Sequence, residues 1–426
     1  MNKQSARNHS PAPGPWPPAP EPPLDCRLTR RSLLASAGMA ALGAGLLSRA
    51  ARAVEAPASP VALARCQSYG TELLPTLKTM FDQLGGLGRL VNGKTVAVKV
   101  NLTGDPDARL GFIPIGFTTW THPAVIAATV HLLGQAGARR IRLLESPWKS
   151  AEPLQEYMSS AGWDPAMFTS AAPNVEFENT NFLGYGKKYV RFPVPDGGHL
   201  FPAFDLNHSY YDCDIFVSIG KLKEHSTAGI TLSMKNCFGI TPCTIYGDGA
   251  PADEPGLVPL GGRFPIHSGF RQPSKSSLPE VDPKSPREGG YRVPRCVADL
   301  VAARPIHLAI IDGIESQTGG EGIGRNTRHV TPHLLVAGAN TVCVDAVGAA
   351  VMGFDPMVDR GKAPFEFCDS TLRLAEEHGV GARDLKRIEV IGARIADVVF
   401  DYRKAGYPIR RTIEDHDRPP AAGRKG

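Results

Sequence analysis

About 50 residues from Lys94 onward read strand, helix, strand, and that rhythm restricts the chain to folds built on a parallel sheet. Residues 95–101, Thr-Val-Ala-Val-Lys-Val-Asn, form an apolar, β-branched run without alternation, as strands buried on both faces do. Thr121-His122-Pro123 has the form of a helix start. Val125, Ile126, Val130, Leu132 and Leu133 follow at helical spacing until Gly134 and Gly137 close the element. A second strand runs over 140–145 and ends on Glu145. The same rhythm predicts strands at 214–219, 307–311 and 388–391, with helices over 226–238 and 345–352. The expected fold class is therefore α/β, a mainly parallel sheet with flanking helices in βαβ units. A long Gly/Pro-rich insertion at 247–292 has no apolar period and reads as a lid or binding loop.

The remaining divisions follow from composition. Residues 1–53 are a proline-rich preface and an export signal: Arg30-Arg31 precede an apolar stretch that ends in Ala51-Arg52-Ala53, a small-x-small pattern. That predicts export through the twin-arginine translocase, cleavage after Ala53 and a periplasmic location. Residues 54–93 form a linker and first helix, 94–400 the α/β domain and 401–426 a C-terminal tail. Seven Lys/Arg against two acids in residues 1–53 hold the chain's whole formal +5, and 40 bases face 40 acids in the rest. Such a balance gives no support to nucleic-acid binding, and no basic-aromatic motif appears. Seven cysteines follow the signal, an odd number, and a chain that folds before export must form its core in a reducing compartment. Cys237 and Cys243 are expected as structural thiols, a disulfide or soft-metal pair being the alternative.

The segment carrying the chemical signal is Gly220-Lys221-Leu222-Lys223-Glu224-His225-Ser226-Thr227, followed by a stretch that includes Lys235 and Asn236. Lys221, Lys223 and His225 alternate, which in an extended loop places all three on one side. A strand end that opens a helix offers free N–H groups as well, so the segment reads as an anion site. The competing reading makes the lysines solvated charges and His225 a loop residue.

The pattern Lys-Leu-Lys-x-His-x-x-x-Gly-x-Thr-Leu-x-x-Lys-Asn-x-Phe-Gly over 221–239 resembles the signature of the Domain of Unknown Function 362 family. Val98-Lys99-Val100-Asn101-Leu102, His122-Pro123, Asp312-Gly313-Ile314 with Gly319-Gly320-Glu321-Gly322, and Val344-Asp345-Ala346-Val347 with Met352-Gly353-Phe354-Asp355-Pro356 agree with it, so the resemblance covers 94–356. Some relatives carry a ferredoxin-like cluster domain. This chain has no Cys-x-x-Cys-x-x-Cys run, so a ferredoxin-type iron-sulfur cluster is not expected.

Convergence of the shared motifs at strand ends would assign Lys99, Asn101, Lys221, Lys223, Lys235 and Asn236 to ligand binding, with His225 and Glu315 as acid or base. Glu145, Asp312 and Asp345 could hold a metal ion, although Asp345 also suits a helix N-cap and Asp312 a turn. The expected function is binding of a small anionic molecule, a carboxylate or phosphate, with Lys/His acid–base chemistry upon it. The alternative is a non-catalytic periplasmic accessory that holds a metal or redox cofactor for a redox partner. No Gly-x-Ser-x-Gly elbow, Walker loop or Rossmann fingerprint stands where a strand would require it.

Overall fold

β-branched runs without polar alternation need cover on both faces, and a central eight-stranded sheet provides it. The computed structural model describes residues 55–182, 189–269 and 278–406; the export-signal reading over 1–53 lies outside them. The sheet strands are β1 (Val61–Arg65), β2 (Thr95–Lys99), β3 (Arg140–Glu145), β4 (Val175–Asn179), β5 (Ile215–Lys221), β6 (Leu308–Gly313), β7 (Leu334–Gly338) and β8 (Val390–Gly392). They lie in the order β8-β1-β7-β6-β5-β2-β3-β4. Strand β7 pairs antiparallel with both neighbours, and every other pairing in the sheet is parallel.

Alternate residues of one strand feed two separate cores. Val96 and Val98 face helices α1 (Leu73–Gln83) and α2 (Pro123–Gln135), while Ala97 faces the layer that holds α4 (Gly289–Ala303), α5 (Thr341–Val351) and α6 (Thr371–Glu377). Helix α2 starts where His122-Pro123 predicts. The His122 ring accepts from the Ala124 N–H at 3.2 Å, and Pro123, which has no N–H to satisfy, takes the first turn.

The connectivity places the site. The chain steps outward from β2 to β3 to β4 and then returns to β5 on the other side of β2. Such a reversal opens a crevice at the carboxyl ends of β2 and β5, where open α/β sheets bind ligands. Lys99, Glu145 and Lys221 are the last residues of β2, β3 and β5.

The helix expected over 226–238 is much shorter. Glu224–His225 pairs with Gly229–Ile230 in a small antiparallel ribbon, and only then does α3 (Leu232–Asn236) form. Tertiary contacts override local propensity there. The Glu224 carboxylate accepts from Thr318 Oγ1 and the Gly319 N–H, and Glu321 accepts from the Ser226 N–H and hydroxyl. Leu232 enters α3 at φ 47, a left-handed conformation rare for such a side chain, beneath a strand whose Gly220 leaves room for it. A Cβ at Gly220 would stand 2.2 Å from the Leu232 carbonyl oxygen. Helix α5 begins at Thr341, capped by Asn340, which puts Asp345 in its second turn rather than at its cap.

Candidate functional site

Lys99 leaves β2 pointing at Glu145 on β3. Its three ammonium protons are all spent, on Glu145 (2.7 and 2.8 Å), the Val100 carbonyl (2.6 Å) and Asn236 Oδ1 (3.1 Å). The Glu145 carboxylate also accepts from the Leu102 and Ser146 N–H groups. Asn236 ties the pair to β5 through Ser218 Oγ at 3.0 Å. Burial lowers the Lys99 ammonium, and Glu145 opposes it. Gly239 lets the backbone settle on this pair, for a Cβ there would lie 2.8 Å from Glu145 Oε1 and 3.0 Å from Lys99 Nζ. Lys99, Glu145 and Asn236 thus form a brace across three strand ends.

Above the brace lies a pocket of about 310 Å³. Its walls include Lys99, Asn101, Glu145, Lys223, His225, Lys235, Asn236, Arg263, His267 and Glu321, with Trp148, Phe238 and Phe264 as aromatic surface. Four of these side chains are cationic, Lys99, Lys223, Lys235 and Arg263, against two carboxylates. Lys223 donates to the carbonyls of Thr119 (2.8 Å) and Glu321 (2.9 Å), which leaves one of its protons unused. Burial pulls its ammonium down to about 7, with Lys235 and Lys221 pushing the same way and Glu321 opposing.

Lys235 differs from the other lysines. Among the described residues its Nζ meets no hydrogen-bond acceptor and lies 4.3 Å from the centre of the Phe238 ring. Burial lowers it to about 8, Glu321 opposes and Arg263 adds to the lowering. Asn101, 1 % exposed, accepts from Thr103 Oγ1 at 3.1 Å, and its Nδ2 has no partner among the described residues, a buried donor left over at the pocket wall. His225 Nδ1 accepts from the Thr227 N–H at 3.1 Å, so Nε2 carries the proton of the neutral ring. His267 is set the other way, because its Nδ1 lies 2.8 Å from the Arg263 carbonyl and must donate. Burial and the nearby Lys235 charge lower His267 to about 3, so it is neutral.

The remaining sequence candidates lie elsewhere. Lys221 and Asp312 are spent on each other at 2.8 Å, fully buried, with Tyr69 and the Gly116 carbonyl completing the Lys221 shell. Asp312 accepts from the His122 N–H too. The reason Lys221 and Lys223 part is a tight turn, the Lys223 N–H donating to the Lys221 carbonyl at 2.9 Å, where an extended loop was expected. Glu315 faces His329 at 2.8 Å on a partly exposed ribbon and does not line the pocket. Asp345, inside α5, covers the start of the neighbouring α3 from outside: it accepts from the Ser233 and Met234 N–H groups at 2.9 Å. The helix N-terminus that the sequence offered to an anion is thereby already occupied by a carboxylate. Glu145, Asp312 and Asp345 do not converge, and among the described residues no three His, Cys, Asp or Glu side chains form a metal-ligand group. All seven described cysteines are buried free thiols, Cys237 and Cys243 included.

Arg263, His267 and Phe264 have no counterpart in the sequence reading. They come from the 247–292 segment, whose lack of period hid them. Arg263 reaches across to the carbonyls of Thr241 and Ser146 and so pins that segment to the strand ends.

Comparison with known proteins adds the lineage. A thylakoid-associated protein of Synechocystis is 30 % identical over 185 residues, 43 % of this chain and 50 % of that protein. The chain thus spans half the length of this relative. A crystal structure of a Thermotoga maritima protein aligns over 65 % of this chain and 57 % of its own, at 12 % identity and a TM-score of 0.34. The model of the domain of unknown function (DUF362) matches residues 96–350, from β2 into α5, and on that match the chain belongs to the DUF362 family.

Proposed function

We propose that the chain binds a small organic anion, a carboxylate or phosphate, in the pocket above β2, β3 and β5, and acts on it by acid–base chemistry in which His225 takes part. The observation that carries this reading is the Lys235 ammonium, which meets no hydrogen-bond acceptor among the described residues in a wall where Lys99 and Lys223 both have them. A partly desolvated cation that has only an aromatic ring face beside it among the described residues gains from an anion that supplies hydrogen-bond acceptors. The spare donor of Asn101 and the unused proton of Lys223 point the same way.

The test is thermal and chemical denaturation of the full chain with pyruvate, orthophosphate or sulfate. An anion present at a hundred times its dissociation constant adds about 2.7 kcal/mol to the free energy of unfolding. Lys235→Met should remove that increment while the unliganded chain still folds, since no hydrogen bond among the described residues is lost with the ammonium. If none of the three anions shifts the wild-type midpoint, the reading fails.

Export by the twin-arginine route and work in the periplasm complete the proposal, on the support of Arg30-Arg31 ahead of an apolar stretch. Lys at both positions should leave the full-length precursor in the cytoplasmic fraction. Unchanged appearance of a shortened chain in the periplasm would count against it.

A further inference from the structure

Resting on the anion reading above, we propose that His267 sets the specificity of the pocket, which takes a 2-hydroxy carboxylate on an apolar frame, the hydroxyl donating to His267 Nε2. Geometry fixes the tautomer. A carbonyl oxygen only accepts, so His267 Nδ1, 2.8 Å from that of Arg263, carries the proton of the neutral ring and Nε2 holds a lone pair. Burial and the charges of Lys235 and Arg263 in the same wall keep a second proton off the ring. Among the described residues the lone pair meets no donor, and the ring lines the pocket. The two carboxylates of the wall differ in this respect. Glu145 already accepts from Lys99 and from the Leu102 and Ser146 N–H groups, and Glu321 from the Ser226 N–H and hydroxyl. His267 is therefore an acceptor open to a ligand in a wall where Lys223, Lys235 and Asn101 offer donors.

Phe238 puts this acceptor and the Lys235 cation next to each other. Lys235 Nζ lies 4.3 Å from the centre of the Phe238 ring, and the His267 ring meets that ring edge to face at 4.6 Å. An anion held by Lys235 thus has His267 for a neighbour. An anion without a donor of its own would set a second acceptor against the Nε2 lone pair and close it off unpaired, which weakens binding. A hydroxyl on the carbon beside the carboxylate turns the same approach into a hydrogen bond. The rest of the frame meets aromatic surface, since Phe264 lies 6.0 Å ring to ring from His267 and Trp148 lines the pocket too. A volume of about 310 Å³ leaves room for such a frame, and a bare inorganic ion would leave that surface uncovered.

A pair of ligands that differ only in the hydroxyl separates this from simple anion binding. Calorimetric titration of the full chain compares each enantiomer of phenyllactate with 3-phenylpropionate, and uses sulfate as the bare anion. The expected result is that one phenyllactate enantiomer binds at least tenfold more tightly than 3-phenylpropionate. In His267→Phe, which keeps a ring against Phe238 but has no acceptor, that ratio should fall to about one while sulfate affinity stays as in the wild type. His267→Gln, whose amide has a donor for the Arg263 carbonyl and an oxygen for the hydroxyl, should keep most of the preference. Sulfate binding to the wild type with equal affinity, or none, for the two acids overturns the hydroxyl selection and leaves the anion reading standing. That comparison decides the matter even where His267→Phe does not fold. A preference that survives unchanged in a folded His267→Phe overturns the role of His267 as well. Absence of binding by sulfate and by both acids removes the reading on which the proposal rests.

Discussion

Lys99→Met is expected to lower the free energy of unfolding by about 3–5 kcal/mol, because it strands the Glu145 carboxylate in a site where both partners are almost wholly buried. Glu145→Gln should cost a similar amount for the converse reason, a buried ammonium left with neutral acceptors. The double variant Lys99→Met, Glu145→Gln decides between a brace and two unrelated residues, since it removes both charges together. Most of the loss should return. A residue of about 1–3 kcal/mol should persist, because Glu145 also accepts from the Leu102 and Ser146 N–H groups and a glutamine has one oxygen to offer where a carboxylate has two. Urea denaturation of the three variants measures the coupling. Additive losses would show that the pair contributes no mutual energy and that the strand ends are held by other contacts.

How far the sequence reveals this molecule follows from which interactions are local. The run at 95–101 and the His122-Pro123 start are decided by residues adjacent in the chain, and the structure forms both there. The helix expected at 226–238 fails at its start because Ser226 is claimed by Glu321, and the Glu224 carboxylate just before it by Thr318, both about 95 residues away, which spacing does not disclose. Asp345 illustrates the same limit. Its residue type marks it as a cap, but the helix it caps lies 112 residues earlier and belongs to another element. At the site, Lys223, His225, Lys235, Asn101, Lys99 and Asn236 all line the pocket, and Lys223, Lys235 and Asn101 keep donors that meet no acceptor among the described residues. Lys221 and Asp312 come from two of the shared motifs and are consumed by each other, while one backbone turn between residues 221 and 223 parts Lys221 from Lys223.

Sulfate affinity should be level below about pH 7 and fall above it, first as Lys223 and then as Lys235 loses its proton, at about 7 and about 8. The sign follows from linkage: the anion binds the protonated lysines, so binding is fully present below the lower value and is lost as pH rises through both. Each lysine contributes up to about a tenfold loss per pH unit beyond its own value, since one pKa unit is about 1.4 kcal/mol of preference for the protonated form. Sulfate is the informative probe because its charge is constant over this range and it has no carbonyl. His267, held near 3, adds no charge of its own between pH 6 and 9. Lys235→Arg should halve the slope above pH 8 and leave the earlier fall, which belongs to Lys223. Calorimetric titration across the range reads both limbs, and a pH-independent affinity in the wild type would place the bound anion on Arg263 rather than on the lysines.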